Sequence, residues 1–90
     1  MPIERFKPGR LVRSLNMSRE VRNLLEWHNV VLVEDLVQCS PREILSLRGI
    51  GPTRLMQIRL ALGQRGLGLA DDPQTEYFID EAAALARQRW

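Results

Sequence analysis

Two helix start signals separated by a pair of glycines constrain the fold of this chain more than any other sequence feature. Ser40 can cap a helix whose first residue is Pro41, because the missing N–H of proline costs nothing at that position. Glu43 completes a capping box, in which the serine and glutamate side chains bond each other's backbone N–H groups. These residues predict a helix over residues 41–47.

The glycine pair follows this helix directly. Gly49 and Gly51 flank one apolar residue, and Pro52 supplies the second start signal. Apolar residues then recur at helical spacing, at Leu55, Ile58 and Leu62. The glycines over residues 63–66 predict the end of this helix, since glycine is favoured just past helix ends. Residues 41–62 therefore predict a helix-hairpin-helix.

A hairpin of this kind can bind an anion. Its glycines let the backbone approach a phosphate, and free N–H groups at the helix start, with the helix dipole, would hold the charge. Gly51, Thr53 and Arg54 are the candidates. Such contacts fix position on a nucleic-acid backbone without reading bases. The alternative is a simple corner between two helices.

The rest of the chain predicts further short helices. Ser18 is a good N-cap for a helix over residues 18–27, although this helix could begin near Leu11. Its buried face consists of Val21, Leu24, Leu25 and His28. We expect His28 to be packed and Trp27 to lie in or beside the core. Residues 34–38 predict one or two further helical turns.

A last helix is predicted after an acidic stretch. Asp72 is its expected cap and Pro73 its first residue. Its apolar face consists of Ile79, Ala82, Ala86 and Trp90. This amphipathic helix is expected to pack back on the domain. Leu67 and Leu69 are expected to close the core of that domain. The alternative is a surface for a partner, with Trp90 as the anchor.

Ninety residues allow a single domain. The predicted fold is all-α, a compact bundle of four to five short helices with a helix-hairpin-helix and an added C-terminal amphipathic helix. We expect a flexible basic arm over residues 1–10, the helical domain over residues 11–69, and an acidic linker with the last helix over residues 70–90.

Charge is unevenly distributed along the chain. Residues 1–22 and 39–69 each carry a net charge of +4, whereas residues 23–38 and 70–90 each carry −3. Nearly all the bases are arginines, which form bidentate bonds to phosphate or carboxylate. The pattern fits either a surface that binds phosphates or acidic groups, or an ordinary solvated surface.

Several function classes are disfavoured. The one cysteine, Cys39, has no adjacent base to make it a nucleophile, and no acid–base pair or metal-ligand spacing is found. We expect no enzyme activity, no cofactor, no metal and no small-molecule substrate. The sequence lacks a signal peptide and an apolar stretch of ~20 residues, which favours a cytoplasmic protein without membrane contact.

Residues 17–69 resemble, without gaps, the C-terminal domain of the bacterial RNA polymerase alpha subunit. The matching residues are Asn23 and Leu25, residues 33–38 (VEDLVQ), Glu43-Ile44-Leu45, Arg48, Ile50-Gly51, Leu55, Ile58, Leu62, Gly66-Leu67 and Leu69. The resemblance implies a compact helical domain. It also implies minor-groove DNA contact through the first helix and the start of the last one, with RNA polymerase subunits or transcription regulators as partners.

The resemblance places the binding residues on this sequence. Asn23 and Gly51 match the family's DNA-contacting asparagine and hairpin glycine, but Glu20 stands where the family has its main DNA-contacting arginine. The other candidates for DNA binding are Thr53, Arg54, Gln57, Arg19 and Arg22.

A second register would align residues 12–16 with the family's first helix, which makes Arg13 a further candidate. Two hypotheses follow. The chain is a transcription-associated module with weak or altered DNA contact, or a protein-interaction module that keeps the fold without binding DNA.

Overall fold

A computed structural model describes residues 8–88 and shows a bundle of short α-helices. The helices are α1 (Arg19–Trp27), α2 (Val33–Leu36), α3 (Pro41–Leu45), α4 (Pro52–Gly63) and α5 (Thr75–Arg87). Two 3₁₀ helices, Pro8–Arg10 and Val12–Ser14, precede them. The described residues form no β-strand beyond one antiparallel bridge between Leu11 and Leu32. The all-α prediction is confirmed, and no helix within residues 8–88 has the length and apolarity to cross a membrane.

The helix start signals around the hairpin act as predicted. The Ser40 hydroxyl accepts the Glu43 backbone N–H at 3.2 Å, and the Ser40 N–H donates to the Glu43 carboxylate at 3.1 Å. Pro41 and Pro52 begin α3 and α4, and Gly63 ends α4. Because these signals act within one helical turn, the surrounding fold leaves them unchanged.

Gly49 is the hairpin residue that the backbone requires to be glycine. It has a φ of +95°, and a Cβ built there would lie 2.8 Å from Cδ2 of Leu24. Gly51 has an ordinary φ of −107°, and a Cβ there meets nothing within 4 Å.

We expect Gly49→Ala to lower the free energy of unfolding by about 1–3 kcal/mol, because alanine is strained at positive φ. Gly51→Ala is the control, with a change of about 0.5 kcal/mol or less. Urea denaturation measures both. Equal losses would contradict the assignment of the backbone requirement to Gly49 alone.

Helix α1 is capped by Ser18, whose hydroxyl accepts the Val21 N–H at 3.3 Å, and it buries Val21 and Leu25. The predicted N-cap is therefore confirmed. The placement of Trp27 in or beside the core is wrong, since this side chain is 81% exposed. At 100° per residue, Trp27 lies more than a quarter-turn away from the buried pair, so adjacency in sequence to Leu25 and His28 was misleading.

Residues 9–14 are fixed to the domain. Arg65 donates to the carbonyl oxygens of Gly9 at 2.6 Å and Ser14 at 2.9 Å, and Arg10 pairs with Glu34 at 2.7 Å. The prediction of a flexible arm is therefore wrong for residues 8–10, which form a 3₁₀ helix. Residues 1–7 lie outside the described range.

Helix α5 packs along α4, as predicted, but the predicted cap at Asp72 and start at Pro73 are wrong, because the helix begins at Thr75 after the N-cap residue Gln74. Asp72 accepts the Gln74 N–H at 3.0 Å and two bonds from Arg59 at 2.9 and 3.1 Å, so its carboxylate shapes the turn before the helix. The residues that α5 buries are Phe78 and Ala82. Phe78 was missed by the sequence pattern and Ala86 is exposed, because the helix turns its buried face one position earlier.

The core lies between α1, α2, α3 and α4. Its largest fully buried side chains are Leu25, Leu36, Ile44, Ile58, Leu62, Val12 and Val21. Leu69 closes it as predicted, whereas Leu67 is 38% exposed, which corrects the prediction for that residue. Leu67 follows Gly66, which has a positive φ of 70° in the turn after α4, and the chain reaches the core again at Leu69. Trp90, the predicted anchor, lies outside the described residues.

Candidate functional site

The solvent face of α1 carries three residues on which the functional hypotheses depend, Arg19, Glu20 and Asn23, together with Trp27. Arg19, Glu20, Asn23 and Trp27 are all exposed and lie within about 100° of one another around the helix axis. Two grooves flank the first turn of this helix. We name them the hairpin groove and the arginine groove.

The hairpin groove lies between α1 and the start of α4. It is lined by Ser18, Glu20, Gly51, Pro52, Thr53, Arg54 and Gln57. Gln57 joins its two walls, because its side-chain oxygen accepts the Ser18 N–H at 3.3 Å. The fold thus brings together four of the predicted DNA-binding residues, Gly51, Thr53, Arg54 and Gln57.

Arg54, the cationic residue of the hairpin groove, forms an ion pair with a residue of the same chain. Arg54 donates to the Glu20 carboxylate at 2.9 Å and to the Gly49 carbonyl at 2.6 Å. Thr53 is exposed, and Gly51 leaves open space where a side chain would stand. Within the hairpin groove, the Glu20 carboxylate therefore neutralises the Arg54 guanidinium.

The arginine groove lies on the other side of α1 and has a different charge. It is lined by Arg13, Arg19, Arg22, Asn23 and Glu26. Three guanidinium groups therefore face one carboxylate, which Arg13 pairs at 2.8 Å. Arg19 is exposed and makes no side-chain hydrogen bond to another residue within 8–88.

Arg22 is positioned by the segment before α1. It donates to the carbonyl oxygen of Arg13 at 3.1 Å, and its Nε atom is buried without a partner among residues 8–88. This contact fixes Arg22 beside Arg13 at the groove. The sequence could name Arg13 only through a second register, whereas the fold places it here because Val12 is buried and turns the chain at that point.

The predicted site residues are therefore divided between two grooves, with Arg19, Arg22 and Asn23 in one and the hairpin residues in the other. Glu20, the departure from the resembling family, lies in the hairpin groove. Arg59 is bonded to Asp72 and Gln74 against α5, so it contributes to neither groove. Arg59 adds to the positive charge of residues 39–69, but in the fold its guanidinium is paired with Asp72.

Other reactive side chains lie away from these grooves. Partial burial raises the pKa of the Cys39 thiol above its ordinary value, and the nearby carboxylates of Glu43 and Asp35 raise it further. The thiol is therefore protonated at neutral pH and is a poor nucleophile. His28 is half-buried, with Nε2 at 3.0 Å from the Arg48 carbonyl oxygen. The described residues hold no cluster of three groups that could bind a metal.

Comparison with known proteins places part of the chain beside an RNA polymerase subunit. No family model matches the chain. The DNA-directed RNA polymerase subunit alpha of Rhodopirellula baltica is 40% identical over 55 residues, which are 61% of this chain and 17% of that subunit. The chain thus spans under a fifth of the length of this curated relative. A segment of this chain is therefore similar to a short part of an RNA polymerase alpha subunit.

Proposed function

We propose that this chain is a transcription-associated binding module of the alpha C-terminal domain type, which contacts the DNA backbone through the arginine groove. Residues 17–69 are the proposed family-like part, and the proposed location is the cytoplasm. The observation that carries the proposal is the groove itself, where Arg13, Arg19 and Arg22 face a single carboxylate beside Asn23. Guanidinium groups arranged in this way bind phosphate oxygens.

The hairpin groove supports the same proposal in a weaker form. Gly51 is the N-cap of α4 and has open space where a side chain would stand, which would let a ligand approach the backbone at the start of this helix. The N–H groups at the start of α4 face the same opening. Because Glu20 pairs with Arg54, we expect this groove to add less affinity than the arginine groove.

The second candidate function is protein binding without DNA, and the Glu20–Arg54 pair is the observation that favours it. A carboxylate 2.9 Å from the hairpin arginine would repel a phosphate backbone there. In that case the partner would be an RNA polymerase subunit or a transcription regulator.

An NMR titration of the labelled chain with A·T-rich duplex DNA, at low and moderate salt, separates the two functions. We expect amide shifts at Arg19, Arg22 and Asn23, with smaller shifts at Gly51, and weaker binding at the higher salt. Arg22→Ala should reduce affinity several-fold and lower the slope of log affinity against log salt by about 1, because one phosphate contact is lost.

The control is Arg42→Ala, which removes the same charge from the exposed face of α3. It should leave both the affinity and the salt slope nearly unchanged. If the duplex shifts no residue at either salt, binding of duplex DNA is excluded, and if a single-stranded oligonucleotide shifts no residue either, the protein-binding function takes its place. If the two arginine variants lose affinity equally, the arginine groove is not the binding site.

A further inference from the structure

We infer that Trp27 is a base-stacking side chain beside the arginine groove, and that this surface takes single-stranded DNA in preference to duplex. The inference rests on the proposed DNA-binding function and specifies the form of DNA. It begins from the burial of the large apolar side chains.

Trp27 is the most exposed large apolar residue among residues 8–88. It is 81% exposed, and the next, Tyr77, is 58% exposed. Tryptophan is highly buried on average, because its ring removes a large apolar area from water. The core is complete without Trp27, so folding does not explain the residue.

The indole ring is also unpartnered within the described part of the chain. The aromatic pair there joins Tyr77 to Phe78, and the cation–π contact joins Arg59 to Phe78. Both lie at α5. The two faces of the Trp27 ring are therefore available to a planar ligand.

The position of Trp27 relates it to the arginine groove. Arg19, Asn23 and Trp27 succeed one another at intervals of four residues on the exposed side of α1, so each lies about 6 Å further along the helix axis. Arg19 and Asn23 line the groove. A bound strand with a phosphate in the arginine groove would thus place its neighbouring groups over the indole ring of Trp27.

Single-stranded DNA presents the matching chemistry. Its phosphates are anionic, and its unpaired bases expose flat faces that stack on aromatic side chains, whereas in a duplex these faces are covered by neighbouring base pairs. Cationic side chains that track the backbone, next to an aromatic side chain, are the recurring features of single-strand binding. An acidic peptide would satisfy the arginines but would leave the indole without a planar partner.

Fluorescence tests this inference directly. The chain has two tryptophans, so in the Trp90→Phe background Trp27 alone reports by tryptophan emission. A short oligothymidylate should quench this emission, with an affinity that falls as salt rises. The thymidine–adenosine duplex of equal length should bind more weakly and quench less.

Variants in the full chain complete the test, with binding followed by the anisotropy of a labelled oligonucleotide. Trp27→Ala should weaken single-strand binding about tenfold and Trp27→Phe less, since phenylalanine also stacks. Tyr77→Ala, at the exposed aromatic of α5, is the matched control and should change little. Because the ring of Trp27 is exposed, circular dichroism should show native helix content in all three variants.

The outcomes distinguish the inference from the function on which it rests. Unchanged Trp27 emission on binding, equal affinity of Trp27→Ala, or preference for duplex would overturn the inference. Duplex binding that Arg22→Ala weakens would then still support the proposed function. Binding of neither form of DNA would overturn both.

Discussion

Replacing Asp72 with asparagine should lower the free energy of unfolding by about 3–5 kcal/mol, the usual cost of leaving a buried charge without its partner. The Asp72 side chain is 1% exposed and that of Arg59 is 18% exposed. Two bonds join them, at 2.9 and 3.1 Å, and the Arg59 guanidinium lies 5.3 Å from the centre of the Phe78 ring. The pair therefore fastens α5 to α4. Urea denaturation followed by circular dichroism measures the loss.

An exposed ion pair of similar geometry provides the control. Arg10 and Glu34 lie 2.7 Å apart with side chains 44% and 43% exposed, so Glu34→Gln should cost less than about 1 kcal/mol. The double variant Arg59→Met with Asp72→Leu should recover most of the stability, because no unpaired charge is then buried. Equal losses for Asp72→Asn and Glu34→Gln would show that burial of the pair does not fasten α5.

Replacing Glu20 with lysine should strengthen binding of DNA by about tenfold to a hundredfold at low salt, if the chain binds DNA as proposed. The change removes the carboxylate that pairs with Arg54 and adds a cation on the exposed face of α1. Two more cations then become available to phosphates, so the slope of log affinity against log salt should steepen by about 2. Glu20→Gln, which only frees Arg54, should steepen it by about 1.

The matched control is Glu81→Lys, which alters the net charge equally on an exposed position of α5, away from both grooves. We expect it to have a much smaller effect on affinity. If Glu81→Lys strengthens binding as much as Glu20→Lys, net charge rather than the hairpin groove controls affinity. The Glu20–Arg54 pair is exposed, so stability should fall by less than about 1 kcal/mol in either Glu20 variant.

Helix α5 lies outside the part of the chain that resembles the alpha C-terminal domain, yet it is integrated into the fold. A Cβ added at Gly63 would lie 2.5 Å from the Phe78 carbonyl oxygen, which shows how closely α4 and α5 approach. Together with the Arg59–Asp72 pair, this approach makes residues 75–87 part of the domain. Both grooves remain uncovered by α5, so its packing is compatible with the proposed interface.

The sequence predicted those features of the fold that depend on neighbours within a turn or two. Ser18 and Ser40 cap their helices, Pro41 and Pro52 begin theirs, and α4 ends before Gly66, which has a positive φ of 70°. Each signal acts through hydrogen bonds or backbone angles of adjacent residues. The exposure of Trp27 was mispredicted because neighbouring positions in a helix point to different faces.

The sequence named most of the residues that line the two grooves, but it did not predict which of their charges form ion pairs. Sequence placed Asn23, Gly51 and Arg54 in one binding surface, but the fold divides them between two grooves and adds Arg13 to one of them. Arg59 contributes one of the positive charges in the basic block of residues 39–69. In the fold, Arg59 pairs with the buried carboxylate of Asp72, which lies in the turn before α5.

By itself, the sequence determined where α1, α3 and α4 begin and that the chain forms an all-α bundle, since these properties depend on local hydrogen bonds and on apolar spacing. The tertiary structure alone decided which charges remain open. Glu20 and Arg54 are 34 residues apart in the chain and 2.9 Å apart in the fold. Their pairing depends on how α1 packs against α4, and no local pattern encodes that distance.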